Sequence, residues 1–212
     1  QREGRAKNNE DTTQPAILKM MSLAGAGAPI ERLRRLNLVP VSVSYEFDPC
    51  DYLKAKELLV RAANGSYQKA QDEDLISMRQ GLTGQKGRIH FTIGTPVNKY
   101  YDTGVCNNLT ANELFRTTAA YIDNQIHAHY RLYPNNFIAE DLLQNSGYNY
   151  GEGQYSDRER TDFEDYLTQR IALAALPDEQ EPLLRRTLLS MYARPLINYR
   201  MACHDADQYK PI

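Results

Sequence analysis

Apolar residues fall at helical spacing near the start of the chain. They then alternate with polar ones in two short runs, and return to helical spacing throughout the second half. Residues 1–14 are polar, rich in Asn, Asp, Thr and Gln, and read as a loop. Pro15 stands where a helix can begin, and Ile17, Leu18, Met20, Met21 and Leu23 give a short apolar stretch ended by Gly25 and Gly27. Residues 30–36 predict one or two helical turns, with Ile30, Leu33 and Leu36 on one face and Arg32, Arg34 and Arg35 around it. Over 38–45 the period drops to two: Val39, Val41, Val43 and Tyr45 alternate with Pro40, Ser42 and Ser44. That pattern predicts a strand, with Pro40 at its start or on an edge because it donates no ladder hydrogen bond.

Asp48-Pro49 signals a helix running to about Ala63 and stopping at Asn64-Gly65. Glu73 to Gly81 predicts a short amphipathic helix through Leu75, Ile76 and Met78. A second strand, Arg88 to Ile93, follows Gly87 and is closed by Gly94-Thr95-Pro96. Strands separated by long helical crossovers predict an α/β layer architecture. After about residue 105 strand signals disappear. Thr110 to Glu113 and Ser156 to Glu159 are capping boxes. Their helices carry Phe115, Ala119, Ile122 and Ile126, and Phe163, Tyr166, Leu167 and Ile171, at helical spacing. A short helix is predicted over Phe137 to Leu143, a Gly- and Tyr-rich loop over Gly147 to Tyr155, and a last helix from near Pro182 towards Pro195.

Composition adds bounds rather than an activity. The chain has 212 residues, 42% hydrophobic and 25% charged, enough to bury a sizeable core. Its net charge of −2 gives no electrostatic reason to expect a nucleic-acid partner. Cys50, Cys106 and Cys203 lack metal-ligand spacing and read as reduced thiols. No apolar run is long enough to span a bilayer. A chain that opens on Gln1-Arg2-Glu3-Gly4-Arg5 reads as one cut from a longer protein.

Candidate chemistry begins in that opening segment. Gly4 lets the backbone approach an anion, Arg5 offers a planar fork of donors suited to phosphate, and Lys7 adds a point charge. On its own this is equally a solvated basic loop. His127 and His129 are two apart on a predicted helix and cannot share a metal. Cys203, His204, Asp205 and Asp207 read as a solvated helix terminus, so no metal site is expected. Tyr148, Tyr150 and Tyr155 suit either an acyl or membrane-interface surface or the packing of the helical half.

Taken together and in order, Glu3-Gly4-Arg5-Ala6-Lys7, Val39 to Tyr45, and Gly87 to Val97 resemble three motifs of the glycerol-phosphate acyltransferase superfamily. Ile122 to His127 and Tyr130 to Pro134 resemble the C-terminal extension of its Bacteroidetes-type bacterial members. The resemblance implies a helix-flanked sheet, incomplete at its N-terminus, over 1–105, followed by an α-helical extension over 106–212. It implies a phosphate site drawn from Arg2, Glu3, Gly4, Arg5 and Lys7, with either Arg5 and Lys7 or Arg2 and Arg5 as the cations. It also implies a core strand near the acyl site at Pro40 and Val41. The implied activity is transfer of a fatty acyl group from acyl-CoA or acyl carrier protein to a glycerol-phosphate or lysophospholipid hydroxyl, in phospholipid synthesis. The acyl donor is a co-substrate and no cofactor is implied. The implied location is cytoplasmic, peripheral at the inner face of the bacterial membrane. Two departures stand out. Arg5 follows Gly4 one residue sooner than in the family, and no histidine here is followed by four residues and an aspartate. The catalytic His and Asp are expected upstream of Gln1, so this chain alone is expected to be inactive. The alternative is a non-catalytic protein-interaction module derived from such an enzyme.

Overall fold

The structure, a computed structural model, describes residues 12–23, 25–143 and 149–208; the side chains of Glu152 and of residues 204–208 lie outside the description. The described elements run α1 (Pro15–Met21), α2 (Pro29–Leu36), β1 (Val41–Tyr45), α3 (Asp51–Asn64), α4 (Glu73–Thr83), β2 (Ile89–Ile93), α5 (Val97–Asp102), α6 (Ala111–Ala128), α7 (Pro134–Leu143), α8 (Gly151–Gln154), α9 (Asp157–Ala174) and α10 (Glu181–Gln208), with a 3-10 turn at Asp178–Gln180.

Local chemistry explains most of the boundaries. Thr110 accepts a hydrogen bond from the Glu113 backbone while the Glu113 carboxylate accepts from the Thr110 backbone, and Ser156 and Glu159 do the same for α9. α3 ends where Gly65 turns left-handed, with φ at 72°, a conformation that costs glycine little. The predicted stop at Pro195 does not occur: α10 continues through it. A proline removes one ladder hydrogen bond. Here Leu184, Leu188, Tyr192, Leu196 and Ala202 are buried along the helix, and that packing holds both halves in one rod.

The helices enclose two apolar cores. In the first, Ala55 and Leu59 of α3 meet Ile138 of α7, Phe163 and Leu167 of α9, and Leu184 and Leu188 of α10. In the second, Leu18, Leu33, Val97 and Tyr101 pack on Leu114, Phe115 and Ala119 of α6. Each core therefore draws on residues from both sides of position 105. α10 packs against α3, α6 and α7 and ties the two together.

The expected α/β layer is corrected by this arrangement. Among the described residues 65% are helix and 5% strand, and the sheet has two strands. β1 and β2 pair antiparallel, with Val41 opposite Ile93, Val43 opposite Phe91 and Tyr45 opposite Ile89. The helices between them do not cover a sheet layer: α3 turns away to pack on α9 and α10. Helices burying one another's apolar stripes hold the molecule together, and the strands are an appendage to them.

The strand alternation is real, but its sense is unusual. Ser42 and Ser44 are buried, while Val41 and Tyr45 are 47% and 46% exposed. Phe91 and Ile93 across the pair are 64% and 75% exposed. The sheet thus turns its serines inward and its apolar face out. α4 is bare as well: Leu75, Ile76, Met78 and Leu82 are all exposed, and no residue of this helix is buried.

Candidate functional site

The two strand motifs meet in space. The Gly94 N–H donates to the Pro40 carbonyl at 2.8 Å and the Val97 N–H to the Leu38 carbonyl at 2.9 Å. A Cβ at Gly94 would lie 3.3 Å from the Pro40 oxygen, so the glycine permits this close approach. Pro40 is buried and Val41 faces outward. Arg2, Glu3, Gly4, Arg5 and Lys7 lie outside the described residues.

Behind the buried side of β1, the connection from α6 to α7 begins a cleft of about 790 Å³. Tyr130, Arg131 and Leu132 line it from that connection, Phe137 from α7, Tyr150 and Gln154 from around α8, and Leu196, Tyr199, Arg200 and Cys203 from α10. A volume of this size suits a small ligand. Its walls are mainly apolar and aromatic, with two guanidinium groups among them.

Several bonds position these groups. The Arg131 N–H donates to Ser44 Oγ at 2.9 Å, so one inward serine of β1 holds the start of the cleft wall. Asp141 accepts from the Tyr150 N–H at 2.9 Å and from the Tyr155 hydroxyl at 2.7 Å. Burial, the hydrogen bond to Asp141 and the charge of that carboxylate push the Tyr155 hydroxyl up to about 12. The Tyr150 ring meets Phe137 edge-on at 5.4 Å, and its hydroxyl accepts from Arg200 at 2.9 Å. Arg200 is therefore held by the aromatic wall, whereas the Arg131 side chain is exposed. Such a set can take an anionic group that carries an apolar body. The Tyr199 hydroxyl is raised above its ordinary value, first by its hydrogen bond to Cys203.

The histidines are scattered. His90 lies exposed on β2 opposite Ser44. His127 sits in the last turn of α6, one turn after Asp123, whose carboxylate accepts the Thr13 N–H at 2.7 Å. His129 caps the same helix with Nδ1 2.6 Å from the Gln125 carbonyl. Among the described residues no group of three or more His, Cys, Asp or Glu could hold a metal ion.

The densest polar constellation is a buried one that sequence reasoning missed. Asp51, 0% exposed, accepts from the Tyr166 and Tyr192 hydroxyls at 2.7 and 2.8 Å, from Arg170 Nε at 2.5 Å and from the Tyr52 N–H at 2.6 Å. Arg170 also donates to the Pro49 carbonyl at 2.7 Å and lies 4.6 Å over the Tyr52 ring. Burial pushes the Asp51 carboxyl up, against the opposing pull of Arg170 and the two hydroxyls. Both carboxylate oxygens are occupied from within the protein, so this is a lock between α3, α9 and α10. The α9 and α10 members lie 115 to 141 residues from Asp51 along the chain, and no local motif announces the set.

Comparison with protein-family models, with curated proteins and with solved structures finds no match to this chain. No described helix is long and apolar enough to cross a membrane.

Proposed function

We propose that this chain is the acceptor-binding part of an acyltransferase, one that moves a fatty acyl group from acyl-CoA or acyl carrier protein to a glycerol-phosphate-type hydroxyl. The observation that carries the reading is the cleft, where Arg131 and Arg200 stand among Tyr130, Phe137, Tyr150 and Leu196. A lysophospholipid has the matching chemistry, a phosphate for the cations and an acyl chain for the rings and leucines. The motif order in the sequence supports the same substrate class. Holding the phosphate would fix the hydroxyl for attack on a thioester, which is a positioning contribution. The proton acceptor is not supplied by a family-type motif in this chain, since no histidine has the aspartate spacing.

Calorimetric titration with a short-chain lysophosphatidate tests the reading, with the uncharged monoacylglycerol as comparison. The phosphate form should bind more tightly, and Arg131→Ala should weaken it by about tenfold or more, equivalent to ~1.4 kcal/mol. Equal binding of both ligands would overturn the phosphate role. Loss of binding in Arg5→Ala with Arg131→Ala unaffected would move the phosphate to the N-terminal loop. Acyl-CoA and glycerol 3-phosphate added to the chain alone should give no product.

A second reading, a non-catalytic interaction module, is favoured by the bare apolar face of the sheet. It needs no ligand in the cleft, and failure of every lysophosphatidate titration would leave it standing alone.

A further inference from the structure

The outward face of the β1–β2 sheet is apolar from end to end. Val41, Val43 and Tyr45 on one strand lie opposite Ile93, Phe91 and Ile89 on the other. Five of these six side chains are 44% exposed or more. Val39, just before β1, is exposed as well. Sheets with one wet face ordinarily turn polar residues towards water, and here the serines are the buried set. β2 carries no proline and no Lys, Arg, Asp or Glu between Ile89 and Ile93, so no charge interrupts this surface. No described helix packs over this face, and β2 is exposed at every position except the half-buried Thr92.

We propose that this face is covered by the same face of a second copy, the two sheets stacking apolar side to apolar side. Area and charge both favour that occupant. These side chains leave on the order of 500 Å² of apolar surface bare in each copy, the size of the largest apolar patch on an ordinary monomer, which is often a functional one. Face-to-face stacking hides on the order of 1,000 Å² in total, the level that separates specific interfaces from chance contacts. None of the residues on the face is charged, so two copies meet no like-charge repulsion across it. Relief also fits. A two-fold axis along the strands sets Ile93 and Phe91 of each copy over the smaller Val41 and Val43 of the other, and Ile89 over Tyr45, at the roughly 10 Å spacing of stacked sheets. A membrane is the weaker occupant. Arg88, the cation at the rim, is bound to Glu46 at 2.8 Å, and an interfacial surface needs cations turned towards lipid.

Sedimentation velocity of the full chain across the micromolar range tests this. The wild-type chain should shift from monomer to dimer as concentration rises. Phe91→Lys and Ile93→Lys should each weaken association by about tenfold or more. Both sites are solvent-exposed in the single chain, so circular dichroism and the melting temperature, read at a concentration where the wild type is monomeric, should be unchanged. Leu82→Lys, an equally bare position on α4 and off the sheet, should dimerise as wild type does. A chain that stays monomeric at every concentration overturns the proposal. So does a Phe91→Lys variant that dimerises normally, or a Leu82→Lys variant that dissociates as readily as Phe91→Lys. A monomer that instead binds vesicles of anionic phospholipid through Phe91 also overturns it, and assigns the face to a membrane.

Discussion

The Glu46 carboxylate ties the two strands together at one end of the pair. It accepts from Arg88 Nη2 at 2.8 Å and from the Arg88 backbone N–H at 2.8 Å. Burial pushes this carboxyl up, but the hydrogen bonds and charge of Arg88 outweigh it and hold the group below its ordinary value. A lowered folded pKa stabilises the fold above the unfolded value of about 4.3 and ceases to do so as pH falls through the folded value. Glu46→Gln should therefore lower the melting temperature at neutral pH and converge with wild type in acid. Solvent screening keeps the difference under about 1 kcal/mol. Melts recorded from neutral pH down into acid would reveal a constant difference if the carboxylate charge plays no part. Arg170 is a different case, because its partner is fully buried. Removing it leaves Asp51 without its cation, so Arg170→Ala should cost about 3–5 kcal/mol in urea unfolding. A loss below about 1 kcal/mol would mean that Asp51 is neutral in the fold. Neither bond could be read from local sequence. Arg88 sits 42 residues from Glu46 and Arg170 119 from Asp51. Side-chain type suggested charge, and only the fold supplied partners.

At the scale of elements, helices were legible because period and caps agree. α1, α2, α3, α6 and α9 lie where apolar spacing, Thr110, Ser156 and Gly65 put them. The two strands were legible as strands, but not the direction of their faces. Alternation is symmetric between inside and outside, and Ser42 and Ser44 are inward because α6 and the segment after it lie on that side. α10 was misjudged at Pro195 because a local breaker carries no information about the buried residues beyond it. The same contrast gives a test. Leu188, at 0% exposure in the first core, should cost about 2–5 kcal/mol as Leu188→Ala. Leu82, at 79% exposure on α4, should change stability by less than about 0.5 kcal/mol as Leu82→Ser. Paired urea unfolding curves compare them directly, and a large loss at Leu82 would show that α4 is packed in solution.

On the scale of the whole molecule, the chain is a helical body carrying a cleft and a bare sheet. The expected sheet layer failed because two five-residue strands cannot form one, and the apolar stripes of the helices are satisfied by each other. The candidate site was legible only in part. The motif strands were found, and they lie side by side. Arg131 and Arg200 were not singled out, because they come together from the α6–α7 connection and from α10. Tyr150 reads from sequence as suiting either an acyl or membrane-interface surface or the packing of the helical half, and it lines the cleft. A well-packed helical body thus exposes an open β2. Hydrogen-exchange mass spectrometry at low and high protein concentration addresses it most directly. Peptides from α9 and the first half of α10 should exchange slowly at both concentrations. Peptides covering Ile89–Ile93 should exchange quickly when dilute and slow down when concentrated. Strong protection of β2 in the dilute monomer, or rapid exchange through α9 and α10, would rule out this arrangement.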